Sequence, residues 1–291
     1  MKIALSGSSG SIGTLLKKYL AKKHNISTIS FRGKQDIKEE MSVNKNDVLI
    51  HLASLNANLT SDSDRLLELD IAKSAIKYCK KNEIKSLVFF STSQVYGSES
   101  IKDRPFKETD PCHSKTLYSL AKLDCEVFLS RECKENNINL IIFRSCPFID
   151  LKSNSKIAFL GKLAKNLKIS IEFSKANKNT RSFLTERNLY LIIDGVLNLI
   201  RKSDLLLHKK INIGDRGQVS TNEIVNAIAA AYSIKPIRIR VPKIFELIAS
   251  KMPVIRNLYQ NLTSNHAVDI NLAEVTLGIK LLQTKQSILN D

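Results

Sequence analysis

Cysteine is scarce in this sequence, and its few copies are not spaced like metal ligands or disulfide partners. They are an odd number without a CxxC pair or a nearby histidine cluster, namely Cys79, Cys112, Cys125, Cys133 and Cys146. This spacing argues against a disulfide framework and against a zinc site. We therefore expect reduced thiols, no bound metal and a cytoplasmic protein.

Long apolar runs are lacking as well. The apolar start, Met1 to Leu5, is too short for a signal peptide, and the longest apolar run, Leu189 to Ile200, is too short to span a bilayer and contains Asp194. Glycine and proline are few, at 10 and 6 of 291 residues, while 43% of residues are hydrophobic. This composition predicts an ordered, soluble protein with one large domain, or one domain and a smaller partner.

Acidic residues are outnumbered, since 28 Asp and Glu stand against 45 Lys and Arg and leave a net charge of +17. Such an excess is typical of proteins that bind nucleic acid or anionic membranes. Here the cations are spread along the chain, without a basic tail or the aromatic and basic interleaving of a single-strand-binding surface. We therefore expect no nucleic-acid partner, and a basic surface that attracts an anionic substrate. A weak association with a membrane surface is the alternative.

A glycine-rich turn is the first positive signal. It joins an apolar strand, Lys2 to Leu5, to an amphipathic helix, Thr14 to Lys22. In this context glycines allow a tight turn and a close approach of the backbone to a pyrophosphate, which then faces the helix N-terminus. The sequence therefore predicts a dinucleotide site formed by Gly7, Gly10, Ser11, Ile12 and Gly13.

The second strand, Ile26 to Phe31, ends without the carboxylate that holds the adenosine ribose in NAD-binding proteins. Ser30 stands there, and Arg32 and Lys34 follow. Cations at this place suit the 2'-phosphate of NADP. We therefore predict NADP(H) rather than NAD(H), with Arg32 in the cofactor site.

Strands and helices then alternate along the chain, which predicts a doubly wound parallel sheet. The next elements are expected at Asp47 to Ala53, Asp64 to Lys81, Ser86 to Phe90 and Ile138 to Arg144. Because ligands bind beyond the carboxyl ends of such strands, Leu52 and Ala53 are predicted to lie near the cofactor and Thr92 near a substrate oxygen. His51 is interpreted as structural. The inner face of the first long helix is predicted to hold Leu66, Leu67, Ile71, Ala75, Ile76 and Cys79.

Tyr118 and Lys122 lie four residues apart near the start of another predicted helix. On a helix they share one face. An ammonium beside a phenol lowers the phenol pKa from about 10 toward the range in which proton transfer is efficient. The pair is therefore a candidate acid-base device.

Three motifs together resemble the extended short-chain dehydrogenase/reductases, and more narrowly the NAD-dependent epimerase/dehydratase family acting on nucleotide sugars. They are the opening GxxGxxG, the run Ser91-Thr92-Ser93-Gln94-Val95-Tyr96-Gly97 and the pair Tyr118-xxx-Lys122. The resemblance implies a Rossmann α/β fold with a smaller C-terminal substrate-binding α/β domain. It also implies a catalytic triad of Thr92, Tyr118 and Lys122, in which Tyr118 exchanges a proton and Lys122 binds the nicotinamide ribose.

The same resemblance implies a substrate linked to UDP and held by Thr92, Ser93, Asn154 and Arg181, with Arg181 on the diphosphate. Residues 1–150 would form the cofactor domain, with 184–215 returning to its sheet, and residues 151–183 and 216–291 the substrate domain. Asn179 to Leu184 is expected to be a strand. Family members often pair through two long helices, here about 64–81 and 118–136, which implies a homodimer.

Dehydratases of the family carry an Asp-Glu pair after the triad threonine, where this chain has Ser93 and Gln94. We therefore predict an NADPH-dependent reductase of the C4 keto group of a UDP-6-deoxy-N-acetylhexosamine, of the kind that serves surface-polysaccharide assembly. The alternatives are a UDP-glucose or UDP-N-acetylglucosamine 4-epimerase with bound NAD, and a catalytically silent cofactor sensor or nucleic-acid binder.

Two helices are predicted in the C-terminal part of the chain. The first runs from Ser220 to Ala230, with Ser220 or Thr221 as its N-cap and Glu223 in its first turn. The second, Lys243 to Ser250, is amphipathic and is interpreted as core packing of the smaller domain rather than as a membrane anchor.

Overall fold

A computed structural model gives the structure of the chain. It describes residues 1–31, 38–40, 47–55, 59–97, 104–149, 160–172, 174, 176, 178–203, 205–252, 259 and 262–289. Three predicted residues, Arg32, Lys34 and Asn154, lie outside these described residues.

Within the described residues seven strands form the main sheet, and its doubly wound topology confirms the predicted fold. In chain order the strands of the molecule are β1 (Lys2–Ser6), β2 (Asn25–Ser30), β3 (Lys38–Glu40), β4 (Val48–His51), β5 (Ser86–Thr92), β6 (Asn139–Ser145), β7 (Ile169–Glu172), β8 (His208–Ile213) and β9 (Ile237–Arg240). The main sheet has the order β3-β2-β1-β4-β5-β6-β8, parallel except for β3, and β7 pairs with β9 in a second sheet. The strand order reverses beside β1, which is where ligands bind in such sheets.

Helices connect these strands at nearly the predicted places. They are α1 (Ser11–Leu20), α2 (Asp62–Lys81), α3 (Leu117–Glu135), α4 (Glu186–Lys202), α5 (Thr221–Ala231), α6 (Lys243–Lys251), α7 (Asn271–Leu277) and α8 (Thr284–Leu289), with a 3₁₀ turn at Ser93–Tyr96 and a π-helical turn at Leu163–Leu167. The predicted cap of α5 is confirmed, because Ser220 and Glu223 form a reciprocal capping box. No helix in the described ranges is long and apolar enough to cross a bilayer.

The core lies on both faces of the main sheet, because alternate residues of a strand point to opposite sides. In β1, Ile3 and Leu5 pack into the cluster that contains α1 and α4 side chains, while Ala4 packs with α2 and α3. All three of these β1 side chains are fully buried. This layering fixes α2 and α3 side by side on one face of the sheet.

Two predictions about local structure are wrong. Leu66 and Leu67 are 64% and 50% exposed, whereas Glu68 is buried. The buried face of α2 therefore runs through Glu68, Ile71 and Ala75, because only this set keeps the helical period. The segment Asn179 to Leu184 forms isolated bridges rather than a regular strand.

The interpretation of α6 as core packing is also wrong. Its large apolar side chains, Ile244, Phe245, Leu247 and Ile248, are exposed, and its buried residue is Glu246. The helix is as amphipathic as predicted, but its polar face is the one that packs on the protein.

Candidate active site

A pocket of about 450 Å³ opens at the carboxyl ends of the central strands. Five described parts of the chain form its wall, namely the glycine turn, the segment after β4, the end of β5, the start of α3 and the end of β6. The lining residues are Gly7, Gly10, Ser11, Ile12, Gly13, Leu52, Ser54, Phe90, Ser91, Thr92, Gln94, Tyr118, Lys122, Ser145, Cys146, Pro147 and Phe148. Most residues predicted for the site therefore lie around one cavity.

The glycine turn is built so that only glycine fits at two of its positions. Gly7 has φ +73°, and a Cβ there would lie 2.6 Å from the backbone nitrogen of Ala53. A Cβ on Gly13 would lie 2.1 Å from the carbonyl oxygen of Gly7. Because both contacts are with backbone, neither can relax cheaply. The turn thus brings the first residues of α1, with their free N–H groups, against the pocket, and this cradle fits a pyrophosphate.

Ala53 is buried behind this turn rather than on the pocket wall, while Leu52 lines the pocket. His51 is buried and hydrogen-bonded to Ser6, with 2.7 Å between Nδ1 and Oγ. Burial, aided by the nearby charge of Lys122, lowers the pKa of His51 to about 3. The imidazole is therefore neutral at physiological pH, and its structural interpretation is confirmed.

At the end of β5, Thr92 and Ser93 have different surroundings. Thr92 lines the pocket, and its hydroxyl accepts a hydrogen bond from the backbone of Gln94 at 3.2 Å, which caps the 3₁₀ turn. Ser93 is fully buried away from the pocket wall, where its hydroxyl lies 2.9 Å from Nε2 of His266. The structure therefore places Thr92, but not Ser93, where a substrate can touch it.

The pair on α3 is positioned by the start of its helix. Thr116 caps α3 through a capping box with Ser119, which fixes the first turn in which Tyr118 lies. Lys122 follows one turn later on the same face, with Nζ 6.0 Å from the Tyr118 ring and 4.9 Å from the ring of Phe89. Both residues of the pair line the pocket. Lys122 is only 2% exposed, so its charge needs a partner inside the protein.

That partner is Glu68 on α2, which the prediction missed. Its carboxylate lies 2.9 Å from Nζ of Lys122, and both side chains are almost fully buried. Glu68 also accepts a hydrogen bond at 2.8 Å from the backbone N–H of Leu55, which lies in the loop that follows β4. One signal could have revealed it, since Glu68 is in helical phase with Ile71, Ala72 and Ala75.

The Glu68 carboxylate changes the electrostatics of the pair. Burial lowers the pKa of Lys122, but Glu68 and Tyr118 together raise it above its ordinary value. For Tyr118 burial raises the pKa, Lys122 lowers it, Glu68 raises it again, and the result is above 10. Lys122 therefore lowers the Tyr118 pKa as expected, but it does not bring that pKa below its ordinary value, because desolvation and Glu68 outweigh the ammonium.

A second buried ion pair lies deeper in the protein. Arg144 on β6 donates to Glu126 on α3, with 2.7 Å between Nη2 and Oε2. Ser91 also donates to Glu126, and Arg144 donates to the hydroxyl of Tyr96. Because this network joins α3 to β5, β6 and the 3₁₀ turn, it holds the strand ends that carry Thr92 against the helix that carries Tyr118 and Lys122.

Arg181, predicted to bind a diphosphate, does not line the pocket. Its side chain is half-buried near Cys146, which does line the pocket, with Nε shielded from solvent and the guanidinium 5.4 Å from the Phe183 ring centroid. Burial lowers the pKa of Arg181 to about 10, so the group still carries its charge at physiological pH. The structure thus places a cation behind the pocket wall rather than on it.

The chemistry available on the wall is limited. Lys122 is the one charged residue among the described lining residues, and no carboxylate is among them. The titratable groups on the wall are Tyr118, Lys122 and Cys146, and burial raises the pKa of Cys146 well above its usual range. The described residues contain no cluster of His, Cys, Asp and Glu that could hold a metal ion. Among the described lining residues, a phenol and an ammonium are therefore the groups suited to move a proton.

Comparison with known proteins identifies relatives of the chain. Residues 3–185 match the model of the NAD dependent epimerase/dehydratase family. The chain is 26% identical over 277 residues to a dTDP-D-glucose 4,6-dehydratase of Dictyostelium discoideum, an alignment that covers 78% of this chain and 61% of that relative. It thus spans about three fifths of the length of the curated relative it matches.

Solved structures share the fold at low sequence identity. The UDP-N-acetylglucosamine 4-epimerase from Bacillus cereus is 16% identical, with a TM-score of 0.76 over 100% of this chain and 97% of that one. RMD from Pseudomonas aeruginosa, solved with NADPH, is 15% identical, with a TM-score of 0.74 over 100% of this chain and 99% of that one. At such identities the similarity establishes the fold alone.

Proposed function

This chain belongs to the NAD dependent epimerase/dehydratase family, and we propose that it is a reductase of nucleotide sugars. Its substrate is the C4 ketone of a UDP-linked 6-deoxy-N-acetylhexosamine, and its reductant is NADPH. The observation that carries the proposal is the pocket wall, on which the glycine cradle, Thr92, Tyr118 and Lys122 meet and where none of the described lining residues is a carboxylate. A reductase needs one proton donor there, whereas elimination of water needs a further acid or base.

The proposed roles follow from the positions of the side chains. When bound, NADPH supplies the hydride. Tyr118 gives its phenolic proton to the C4 oxygen, and the pKa of the phenol, raised by burial, keeps that proton in place until the substrate takes it. Thr92 orients the same oxygen through its hydroxyl. Lys122 stabilises the tyrosinate and binds the nicotinamide ribose, and the Gly7 to Gly13 turn holds the pyrophosphate.

The preference for NADPH rests on the end of β2. Ser30 stands there and is exposed, so no carboxylate from this position competes with a 2'-phosphate. Arg32 and Lys34 follow in the sequence and supply the cations.

For the substrate domain we propose residues 151–183 and 216–291. Arg181 binds the diphosphate in this proposal, after the pocket wall at Cys146 has moved aside.

A 4-epimerase with bound NAD is the second candidate, and the Glu68–Lys122 pair favours it. The nicotinamide ring is positively charged when oxidised and neutral when reduced. A site in which Glu68 neutralises Lys122 repels the oxidised ring less than an unpaired ammonium would. Retaining the oxidised cofactor is what an epimerase needs.

The test is to incubate the purified protein with UDP-4-keto-6-deoxy-N-acetylglucosamine and NADPH, and to follow the loss of nicotinamide absorbance. Loss that depends on the sugar supports the reductase. Conversion of UDP-N-acetylglucosamine without added cofactor, and no absorbance loss, would support the epimerase instead.

Tyr118→Phe should keep NADPH binding, followed by fluorescence, and reduce turnover by a factor of about 10² to 10⁴. Tyr232→Phe is the matched control, because Tyr232 is 42% exposed on a different helix end. Turnover of Tyr118→Phe at the wild-type rate would refute the proposed triad.

A further inference from the structure

Helix α6 packs on the protein with its polar face, whereas its composition predicts that its apolar face is buried. The buried carboxylate of Glu246 accepts hydrogen bonds from the backbone and hydroxyl of Ser174 at 2.6 and 2.7 Å, and from the hydroxyl of Tyr259 at 2.8 Å. Ile244 and Ile248, one turn apart, lie on the side opposite Glu246 and are 65% and 47% exposed. The helix is thus anchored by its polar side, and its apolar side faces outward.

The strand that precedes α6 in the chain also carries exposed apolar side chains. In β9, Ile237 and Ile239 are 70% and 48% exposed, and β9 leads through Pro242 directly into α6. Of the sixteen large apolar side chains that are exposed in the described residues, seven lie between 237 and 252, namely Ile237, Ile239, Ile244, Phe245, Leu247, Ile248 and Met252. We call these seven residues the apolar patch. Isolated exposed apolar residues are ordinary, but such a concentration marks an interaction surface.

The exposed charge of the segment that carries the apolar patch has one sign. Residues 235–252 contain the cations Lys235, Arg238, Arg240, Lys243 and Lys251, and Glu246 is their one carboxylate. Glu246 is buried under the helix. The nearest carboxylate of the paired strand, Glu172, is also buried and lies 3.5 and 3.7 Å from the 60% and 84% exposed side chains of Arg238 and Arg240. The exposed charges of this segment are therefore all positive.

We propose that the apolar patch and its cations lie on an anionic membrane surface. Aliphatic side chains flanked by lysine and arginine are what an interfacial helix uses, with the apolar groups entering the acyl boundary and the cations facing lipid phosphates. A second copy of the chain is a poorer partner, because a symmetric interface would place these cations against themselves. Single-stranded nucleic acid is poorer too, because Phe245 is the one aromatic residue of the segment and stacking needs several. This inference is independent of the reaction proposed above.

Vesicle flotation tests the proposal with the full chain. Vesicles of phosphatidylcholine and phosphatidylglycerol in equal parts should bind the protein at least tenfold more tightly than vesicles of phosphatidylcholine alone. Raising the salt concentration should weaken binding to the anionic vesicles, since it screens the exposed cations. Equal binding to both vesicle types, or none to either, would overturn the proposal.

Two variants locate the contact. Ile244→Ser/Ile248→Ser should reduce vesicle binding at least tenfold, and Lys243→Gln/Lys251→Gln should reduce it about fivefold for each lysine removed. Leu205→Ser/Val275→Ser is the matched control, since these residues are 79% and 81% exposed elsewhere. It should bind like the wild type.

Thermal melting and NADPH fluorescence check that each variant is folded. If the isoleucine variant does not fold, the lysine variant still tests the proposal. A control variant that loses as much binding as the others would contradict the proposal. The proposal would also be contradicted if vesicles bound no protein while the isoleucine or lysine changes abolished another complex. That complex would be a dimer, detected by light scattering, or a nucleic-acid complex, detected by gel shift.

Discussion

The two sheets in the described part of the chain differ in the partners of their buried charges and in which side chains face outward. Around the main sheet, charged side chains go inside in pairs, Lys122 with Glu68 and Arg144 with Glu126, and apolar faces cover them. Around the β7–β9 sheet, Glu172 is buried beside two exposed arginines and Glu246 is buried on neutral hydrogen-bond donors, while isoleucines are exposed.

The difference shows that an amphipathic pattern specifies two faces but not which of them is covered. α4 presents its apolar face to the large sheet, which offers a complementary apolar surface. α6 meets Ser174 and Tyr259, which offer hydrogen bonds instead. The local partner decides which face is buried.

The largest expected effect comes from the deeper ion pair. Glu126→Ala leaves Arg144 buried without its carboxylate and also deprives Ser91 of its acceptor, so it should lower the free energy of unfolding by about 3–5 kcal/mol. Denaturant titration measures it. Glu132→Ala on the same helix is the control, because Glu132 pairs with Arg131, which is 64% exposed, and should cost at most about 1 kcal/mol. Similar losses in the two variants would contradict the comparison.

The site pair should behave differently when both partners are removed. Glu68→Leu alone leaves the Lys122 ammonium buried and should cost about 3 kcal/mol, whereas Glu68→Leu/Lys122→Met should regain part of it, since the Leu55 N–H then lacks its acceptor. The same double replacement at Glu126 and Arg144 should recover less, because the buried Ser91 hydroxyl loses its acceptor and the Tyr96 hydroxyl, which still donates to Asn212, loses the bond from Arg144. The unfolding free energies of the single and double variants give one double-mutant cycle for each ion pair. Equal coupling energies in the two cycles would contradict the expected difference between the pairs.

A buried acid without a cation should make stability depend on pH. Asp215 accepts bonds from Thr185 and Asn188, and burial raises its pKa to about 6 from 3.8. The folded state therefore holds this proton more tightly than the unfolded state, so its contribution is fully present below about pH 4. It should fall by roughly 3 kcal/mol as the pH rises to about 6 and above. Asp215→Asn should flatten this part of the stability profile, and an unchanged profile would show that Asp215 titrates normally.

The smallest expected effect is on α6. Ile248→Ser should change the free energy of unfolding by less than about 0.5 kcal/mol, since the side chain is already in water. Ile192→Ser in α4, where the side chain is fully buried, should cost about 3–5 kcal/mol. Thermal or denaturant unfolding compares them, and a comparable loss in α6 would mean that its outer face is covered.

Much of the fold could be predicted because it depends on residues that are close together in the sequence. The glycines at 7, 10 and 13 lie between a strand and a helix, so their role in the turn needs no distant residue. The helix from Leu117 carries Tyr118 and Lys122 on one face by its period alone. The predicted buried face of α2 was wrong at its start. The prediction placed Leu66 and Leu67 inside, whereas the helix buries the charged side chain of Glu68.

The sequence by itself determined the order of strands and helices, the turn that fits a pyrophosphate and the presence of a phenol and an ammonium one turn apart. These depend on residues that are neighbours along the chain. Only the tertiary structure decided that Glu68 pairs with Lys122, that the Tyr118 pKa lies above its ordinary value, that Ser93 and Arg181 stand off the pocket wall and that α6 faces outward. Each of these depends on burial and on the electrostatic field of residues far away in sequence, and both exist only once the chain has packed.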